Sequence, residues 1–240
     1  MIKIEGTYNT AIVYADTIEA GAEGQIQKLV SQEFTKDSRI RIMPDVHAGK
    51  GCTIGTTMTI TDKIVPNLVG VDIGCGMETV ELKAKRINLP ELDSFIHKNI
   101  PCGFEIRSAA PNISPIPDWK NCTVKKQFHA RAECSLGHYG GNHFIEVDRR
   151  DGTLHLVVHS GSRNAGLQVA VPSGQGVCSA ERKRNSHELA YCEGELLEQY
   201  LHDMQIMQEF ADWNRRAITD TILKGQPKEQ GRFTTIHISI

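Results

Sequence analysis

The sequence predicts an α+β fold with mixed, largely antiparallel sheets and a long helical segment near the C-terminus. Three observations lead to this class. Short β-rich runs fill most of the first 85 residues, a hairpin pattern spans residues 144–159, and helical periodicity dominates residues 180–224. Periodicity alone does not separate this layout from other α+β layouts.

The N-terminal part is predicted to combine strands with two helices. Apolar residues recur at helical spacing over Ala22–Phe34, which predicts the first helix. The second is predicted at Leu92–Lys98, because Pro90 favours a helix start and the helix must close before Pro101. The proline-rich stretch Ser108–Asp118 is predicted as an irregular surface loop. The β-rich runs, separated by turn-forming residues, are Ala11–Tyr14, Arg39–Met43, Cys52–Ile60 and Met77–Lys85.

A β-hairpin is predicted in the middle of the chain. Phe144–Val147 and Thr153–His159 have the pattern of paired strands, and the turn Asp148–Gly152 between them contains an Asp-Gly hairpin signal. His155 and His159 share one face of the second strand. Two residues four apart on a strand lie about 13 Å from each other, too far to share one ion. His155 is therefore interpreted as structural.

The C-terminal part is predicted to contain one long helical segment, Ala180–Lys224, which the sequence Gly225-Gln-Pro227 ends. Its apolar stripe includes methionines, which are more often core filler than parts of a cofactor site. The chain then closes with an alternating β segment, Phe233–Ile240, that has no polar tail. A strand that stops in apolar residues indicates a continuation, either more chain or a partner that covers the edge.

Length and composition favour one compact domain over residues 1–240. The chain has a mass of 26.6 kDa, 40% apolar residues, 23% charged residues and a formal net charge of −2, as an ordinary soluble protein does. This charge gives no global field for polyanions, so a local patch would have to bind nucleic acid if the protein binds it. No apolar run has signal-peptide length or approaches the roughly 20 residues of a membrane span, so a cytoplasmic protein without membrane contact is expected.

The cysteine pattern argues against a disulfide framework and against a structural zinc ribbon. Seven cysteines are present, an odd number, and no two form a Cys-x-x-Cys pair. Only Cys75 has neighbours that indicate chemistry. The others are interpreted mostly as small buried hydrophobic residues. They are Cys52, Cys102, Cys122, Cys134, Cys178 and Cys192.

Glycine-rich stretches offer several possible metal ligands. Asp72 and Cys75 lie among the glycines of Val69–Met77, His143 follows a Gly-Gly-Asn sequence, and His159 ends a predicted strand. A thiolate and an aspartate repel each other unless a cation lies between them, so the pair favours metal over redox chemistry. The alternative is a tight turn with a buried cysteine. Two imidazoles, a thiolate and a carboxylate suit a late first-row divalent ion, and manganese is an option where further oxygens complete the coordination.

Two further stretches offer groups for phosphate binding and acid–base chemistry. The sequence Ser160-Gly-Ser-Arg163 combines small residues, free backbone N–H groups and a guanidinium, a suitable cradle for phosphate. Asp45, His47 and Lys50 also lie among glycines, but this stretch lacks the Gly-x-x-x-x-Gly-Lys-Ser/Thr frame of a Walker loop. A Gly-x-Ser-x-Gly elbow is absent from the sequence as well.

Together these strings resemble the RtcB family of RNA ligases, which join a 3′-phosphate or 2′,3′-cyclic phosphate end of RNA to a 5′-hydroxyl end. They occur in the family's order and span most of the chain, so an RtcB-like fold is expected. The matching strings are Met-Pro-Asp45-Val-His47-x-Gly-Lys50-Gly, Val-Gly-Val-Asp72-Ile-Gly-Cys75-Gly-Met, Gly-Asn142-His143-Phe-x-Glu146 and His159-Ser-Gly-Ser-Arg163.

The resemblance implies a site for two manganese ions and for GTP. The implied manganese ligands, with the Cys75 sulfur bridging both ions, are Asp72, Cys75, His143, His159 and His237. The residues implied to line the guanine-nucleotide site are Asn142, Phe144 and Glu146. Arg163 matches an arginine that contacts phosphate, and Asp45 and His47 are further catalytic candidates from the matching strings.

The implied mechanism runs through a histidine guanylylated by GTP, transfer of GMP to the RNA 3′-phosphate, and attack by the 5′-hydroxyl with release of GMP. The chain departs from the family after His237, where Ile238 replaces the usual asparagine and the sequence ends two residues later. The glycine-rich guanosine loop and the GMP-accepting histidine are missing, and no remaining histidine matches that role. Two explanations stay open: a truncated or frame-shifted product that kept the metal half, or a short form for which a second chain supplies the rest.

Three functional hypotheses follow. The first is a manganese-dependent RNA ligase that cannot guanylylate itself. The second is a metal-dependent phosphodiesterase that opens cyclic phosphate ends, and the third is a non-catalytic metal-binding or interaction module. RNA is expected in a local groove that uses Lys50 and Arg163. Arg149 and Arg150 are further candidates, but a pair of arginines at this place is more often a solvated hairpin tip.

Overall fold

The computed structural model describes residues 1–112, 119, 122–124, 126–176, 187–225 and 234–238, and side chains for all of these except 171–176, 187 and 234–238. These residues form ten strands and six α-helices. The strands are β1 (Ile2–Glu5), β2 (Thr10–Val13), β3 (Ile40–Ala48), β4 (Thr53–Met58), β5 (Lys63–Ile64), β6 (Gly76–Leu82), β7 (Phe144–Arg150), β8 (Thr153–Ser160), β9 (Cys192–Glu193) and β10 (Thr234–Ile238). The helices are α1 (Ala20–Val30), α2 (Pro66–Val69), α3 (Leu89–Asn99), α4 (His129–Cys134), α5 (Arg163–Gly176) and α6 (Glu195–Gly225).

Contacts between residues divide the chain into two compact units. The first unit contains Met1–Val71 and Ala170–Leu201, and the second contains Asp72–Val169 and His202–Ile240. That residues 1–240 form one RtcB-like domain stays a prediction.

The first unit is built on a four-stranded sheet with the order β1-β2-β3-β4. β2 and β3 run parallel, while the other two pairs are antiparallel. Helix α1 packs on this sheet because its apolar side chains, such as Ile26, recur at helical spacing and lie in the core beside Ile42 of β3. The register between β3 and β4 shifts between Ile42 and His47, so the segment that contains Asp45 departs from the regular ladder.

The second unit contains an antiparallel four-stranded sheet with the order β10-β6-β8-β7. Alternate residues of β6 are buried, as expected for a strand with one face on the core. Apolar residues of β6 and β8, including Leu82 and Leu156, pack with Ile218 and Ile222 of α6. This core fixes the position of α6 on the sheet, and the same helix supplies polar contacts to the candidate site described below.

The predicted fold class is confirmed: the sheets are mixed and largely antiparallel, and a long helix lies near the C-terminal end of the chain. The predicted strands and helices all overlap observed elements. Helix α3 begins at Leu89, close to the predicted start, because Pro90 occupies its first turn and the Asn88 side chain accepts a hydrogen bond from the Glu91 N–H. The short strands β1, β5 and β9 were not predicted, because β5 and β9 have only two residues each and the alternation of β1 covers only four.

The predicted helix over Ala180–Lys224 is wrong at its start. Residues 180–186 lie outside the described residues, but His187–Leu189 form a single 3₁₀ turn and Cys192 lies in strand β9. Leu189 is almost fully buried in the core of the first unit, so tertiary packing determines the conformation here. Gly194 then has a φ of 58°, a left-handed conformation that breaks a helix, and α6 begins directly after it.

Two further details differ from the sequence predictions. The hairpin turn consists of Asp151 and Gly152 alone, with φ values of 49° and 84°, so the first strand extends to Arg150. Among the cysteines, Cys52 and Cys192 are buried as predicted, but Cys122 and Cys134 are only partly buried and Cys102 is exposed. The prediction for Cys178, and that for residues 113–118 of the proline-rich loop, falls outside the described residues. None of the helices in the described part of the chain is long and apolar enough to cross a membrane.

Candidate metal centre

The candidate ligands lie at one end of the second sheet, on segments that neighbouring strands hold together. Cys75 immediately precedes β6, His143 immediately precedes β7, and His159 lies one residue before the end of β8. Strand β8 pairs with both β6 and β7, and in these pairs His159 lies opposite Met77 and Phe144. The register of the sheet thus brings residues that are distant in sequence to one place.

The distances between the side chains are those of a compact ligand group. The Cys75 Sγ lies 3.0 Å from His159 Nε2 and 3.5 Å from His143 Nε2. Ligand atoms of Cys75, His143 and His159 all lie within 4.8 Å of one another. Asp72 is attached to this group through His143, because its Oδ2 lies 2.8 Å from His143 Nε2. The arrangement offers a soft sulfur, two imidazoles and one carboxylate at a single point.

The turn that contains Asp72 and Cys75 is shaped by its backbone. The N–H of Cys75 donates to the carbonyl of Asp72 at 3.0 Å, which closes the predicted tight turn. Gly74 adopts a φ of 75°, a left-handed conformation in which a side chain is strained. Gly161 is required for a different reason, since a Cβ atom at this position would lie 2.6 Å from the Asp72 carboxylate.

Arg163 connects the carboxylate to two histidines. Its backbone N–H donates to Asp72 Oδ1 at 2.9 Å, and its guanidinium donates to Nδ1 of His143 at 2.7 Å and to Nδ1 of His138 at 3.2 Å. A guanidinium only donates hydrogen bonds, so both Nδ1 atoms accept and each neutral ring has its hydrogen on Nε2. In this arrangement His143 donates to Asp72 and His138 donates to the carbonyl of Gly103 at 3.1 Å.

The pKa shifts follow from burial and from these neighbours. Burial, and secondarily the Asp72 carboxylate, raise the pKa of the Cys75 thiol to about 11. Burial lowers the pKa of His159. Burial also opposes ionisation of Asp72, but its hydrogen bond with His143, its hydrogen bond from the Arg163 backbone and the charge of Arg163 outweigh that effect and lower the pKa of its carboxyl group.

These properties fit a divalent cation. A thiol with a raised pKa stays protonated at neutral pH, and a cation at the sulfur stabilises the thiolate that binds it. His159 is neutral, as a metal ligand must be, and its buried Nδ1 has no hydrogen-bond partner among the described residues. A cation at His143 Nε2 would replace the hydrogen that this atom donates to Asp72. The group therefore has the donors and the spacing to hold a metal ion.

The predicted nucleotide-binding residues lie next to this group. The ring of Phe144 contacts that of His159 edge-on, with 5.0 Å between the ring centroids. Phe144 is partly buried, while Asn142 and Glu146 are exposed on either side of it. Asn142 directly precedes His143, and Glu146 lies on β7 opposite Val157. Asn142 and Glu146 are therefore open to solvent, and Phe144 is the one of the three whose ring contacts a candidate ligand.

The other predicted residues lie elsewhere in the chain. Asp45 and His47 are exposed on β3 in the first unit, where His47 Nδ1 lies 2.7 Å from the carbonyl oxygen of Asp45. Lys50 is exposed after the same strand. Arg149 and Arg150 are exposed at the hairpin tip, as expected for a solvated turn.

The last predicted ligand, His237, lies on β10. The backbone of this strand pairs with β6, and His237 lies opposite Glu78 in that pairing. The ligand role of His237 stays a prediction, since its side chain is outside the described set.

Sequence reasoning missed several polar residues that surround the site. His138 is buried and bound to Arg163, and Asn214 and Arg215 of α6 are buried against the ligand segments. Glu78 is buried with an Oε2 atom that has no partner within the described side chains. The sequence contains one signal for Asn214 and Arg215. Both are polar residues at helix positions that the apolar periodicity assigns to the buried face.

The chain matches the family description "tRNA-splicing ligase RtcB" over residues 25–115 and 112–231. The RNA-splicing ligase RtcB of Escherichia coli strain K12 is 30% identical over 239 aligned residues, which cover 86% of this chain and 57% of that protein. The tRNA-splicing ligase RtcB of Methanococcus maripaludis is 24% identical, with 91% of this chain and 61% of the relative covered. The tRNA-splicing ligase RtcB of Thermococcus kodakarensis is 26% identical, with 74% and 50% covered. The chain therefore spans only half to three fifths of the length of these relatives.

Proposed function

The chain belongs to the RtcB family, and we propose that it takes part in RNA ligation. In this reaction an RNA end that carries a 3′-phosphate or a 2′,3′-cyclic phosphate is joined to an RNA end that carries a 5′-hydroxyl. The proposed cofactors are two manganese ions and GTP, and the proposed place of work is the cytoplasm. The observation that supports this most strongly is the convergence of Cys75, His143 and His159 within 4.8 Å, with Asp72 bound to His143.

The metal ions would be held by these four residues, and His237 is the proposed fifth ligand. Bound divalent cations would neutralise phosphate charge and align the reacting groups. Cys75 would supply a sulfur ligand, since its Sγ lies close to each of the two imidazoles. Asp72 is held by the backbone and side chain of Arg163, so its carboxylate has a fixed direction.

Arg163 is the proposed phosphate-binding residue. It lies at the start of α5 with a φ of 54°, a conformation that is uncommon for a residue with a side chain and that indicates a constrained position. Its guanidinium is a bidentate donor suited to phosphate oxygens. Asp45 and His47 are proposed to take part in catalysis, and the support for this is their match to the family strings and their exposure on β3.

For GTP, the proposed contacts are Asn142, Phe144 and Glu146. Phe144 presents a partly exposed ring at the edge of the metal centre, and a ring in such a position can stack on a base. Glu146 and Asn142 are exposed polar groups able to hydrogen-bond a guanine or a ribose. No histidine among these 240 residues is proposed to accept GMP.

The test is binding of a short RNA that ends in a 3′-phosphate, compared with the same RNA ending in a 3′-hydroxyl. We expect manganese-dependent preference for the phosphate end, and we expect Arg163→Ala to weaken it by about 10-fold to 100-fold, the loss of one or two charge-assisted hydrogen bonds. Arg150→Ala is the matched control, since Arg150 is exposed at the hairpin tip, and it should retain the preference.

Three results separate the hypotheses. Equal binding of both RNAs, with and without manganese, would contradict the proposed function. Opening of a 2′,3′-cyclic phosphate without GTP would favour the phosphodiesterase instead. Manganese binding without any RNA reaction would favour a non-catalytic module.

A further inference from the structure

Asn214 occupies an unusual position in helix α6. Its side chain is completely buried, and it faces backbone segments on either side of the candidate ligands rather than another helix. A buried amide in a helix is costly unless its donors and acceptor are all satisfied. The contacts of this residue therefore show what the position is used for.

The amide of Asn214 connects two separate segments of the second unit. Its Oδ1 accepts hydrogen bonds from the backbone N–H groups of Gly137 and His138, at 2.8 and 2.9 Å. Its Nδ2 lies within hydrogen-bonding distance of the carbonyl oxygens of His138 and Gly161 and of Ser160 Oγ, at 2.9, 3.0 and 2.9 Å. Since N–H groups face one side of the amide and carbonyls the other, the orientation of the amide is fixed.

The next residue in the helix, Arg215, adds a third segment. Its Nη1 donates to the carbonyl of Gly74 at 2.7 Å and to the carbonyl of Ser160 at 3.0 Å. Gly74 precedes Cys75, and Ser160 follows His159, so one guanidinium nitrogen connects the backbones beside both ligands. Arg215 is almost completely buried, which makes these hydrogen bonds strong and their loss costly.

We propose that Asn214 and Arg215 are positioning residues that hold the Cys75 turn, the His159 strand end and the His138 segment in the geometry that binds metal. This inference rests on the metal-binding part of the proposed function. The three segments come from separate stretches of the chain, and the sheet alone does not connect the His138 segment to the others. Two adjacent helix residues contribute to that connection, because their side-chain polar atoms lie within hydrogen-bonding distance of six backbone atoms and of Ser160 Oγ.

The arrangement also extends to the residue proposed for phosphate. The His138 segment, which Asn214 holds by three backbone hydrogen bonds, supplies the imidazole that accepts from Arg163 Nε at 3.2 Å. Ser160 Oγ, a further contact of Asn214, lies 3.4 Å from His143 Nδ1. A change in the position of Asn214 would therefore displace the contacts of both His143 and Arg163. Metal affinity and the preference for a phosphate end are both expected to depend on Asn214.

The experiment measures cobalt and manganese affinity of the full chain, with cobalt followed by its sulfur-to-metal absorption band and manganese by calorimetry. Asn214→Ala and Arg215→Met remove the connections, and Arg215→Lys keeps one donor at the same place. The matched control is Ile222→Ala, because Ile222 is equally buried, lies about 12 Å further along α6 and packs only in the apolar core among the described side chains.

We expect Asn214→Ala and Arg215→Met to weaken cobalt binding by about 10-fold to 100-fold and to change the absorption band, as loss of residues that orient metal ligands does elsewhere. Arg215→Lys should recover part of the affinity. Ile222→Ala should lower the unfolding temperature at least as much and leave the affinity of the folded protein unchanged.

Two different outcomes would overturn the positioning role and the proposed metal site, and they can be distinguished from each other. If the Asn214 and Arg215 variants bind within about two-fold of the wild type, or lose no more affinity than Ile222→Ala, the positioning role is wrong while the metal site stands. If the wild-type chain binds neither cobalt nor manganese, the proposed function itself fails, and the positioning role with it.

Discussion

The two four-stranded sheets present the same types of side chain in contrasting settings. In the first unit, Asp45 and His47 are exposed on β3, and the contact between them is a local one, from His47 Nδ1 to the Asp45 carbonyl oxygen. In the second unit, Asp72 and His143 come from distant parts of the sequence and lie 2.8 Å apart, with the His143 side chain almost fully buried.

The difference shows what makes an aspartate and a histidine into a binding site in this protein. Both pairs lie among glycines, and residue type alone does not rank one above the other. Only the second pair lies where strand pairing brings several segments together and where buried residues of α6 fix their backbones. Convergence and burial, rather than composition, distinguish the two.

The largest effect is expected from removing a candidate metal ligand in the second unit. Cys75→Ser removes the sulfur that contacts both imidazoles, and manganese or cobalt affinity should fall by at least about 100-fold, since a ligand matters more than a residue that orients one. Calorimetry measures this. Asp45→Asn in the first unit is the comparison and should leave affinity unchanged. Retention of wild-type affinity in Cys75→Ser would show that the ion binds elsewhere.

The dependence of stability on acid pH should also differ between the buried histidines of the second unit and the exposed His47 of the first. Burial, and then the charge of Arg163, lower the pKa of His138 from 6.5 to about 4. The unfolded chain therefore takes up a proton at a pH where folded His138 does not. Stability linked to the neutral ring is fully present above pH 6.5 and is lost as the pH falls toward 4, by up to about 3 kcal/mol.

Denaturant unfolding at several pH values measures this dependence. His138→Gln should flatten the loss of stability between pH 6.5 and 4, whereas His47→Gln, at an exposed position, should leave the curve as in the wild type. An unchanged slope in His138→Gln would contradict the assignment.

A smaller effect of opposite sign is expected for the buried Glu78. Burial, and then the charge of Asp212, raise the pKa of its carboxyl group from 4.5 to about 7. The stability that the protonated group provides is fully present below pH 4.5 and is lost as the pH rises through 7. Glu78→Gln should therefore raise the free energy of unfolding at pH 8 by about 2 kcal/mol, and not at pH 4.

The exposed Glu81 on the same strand provides the control for this prediction. Glu81→Gln should change the free energy of unfolding little at either pH, because a solvated carboxylate has no burial cost to relieve. If Glu78→Gln destabilises the protein at pH 8, the ionised carboxylate has a favourable partner and the assignment is wrong.

The smallest effect is expected on the free energy of unfolding when the exposed residues of β3 in the first unit are changed. Asp45→Asn and His47→Asn replace exposed side chains, so each should change the free energy of unfolding by less than about 0.5 kcal/mol. Thermal unfolding checks this. A loss above 2 kcal/mol in either variant would show that these residues are structural rather than free for chemistry.

Much of the candidate metal site in the second unit could be predicted from the sequence. Alternating apolar residues and the Asp-Gly turn identified β7 and β8, and the positions of His143 before β7 and of His159 near the end of β8 followed from that hairpin. Glycines beside Asp72 and Cys75 indicated a tight turn, and the structure contains one. Local patterns are sufficient where the strands involved are neighbours in sequence.

The residues that fix the site could not be found in this way. Asn214 and Arg215 lie more than fifty residues after the last ligand in the hairpin, and nothing local connects them to Gly74 or to Ser160. The start of α6 was misplaced for a related reason, because the burial of Leu189 in the core of the first unit outweighs helical periodicity. Long-range packing decided both.

The most direct test of the central claim is anomalous diffraction from crystals of the protein grown with manganese. We expect a manganese peak within about 2.0–2.5 Å of Cys75 Sγ and of nitrogen atoms of His143 and His159, with an Asp72 oxygen at a similar distance from the same or a second peak. Crystals that contain manganese elsewhere, or that contain none while Cys75, His143 and His159 keep their positions, would contradict it.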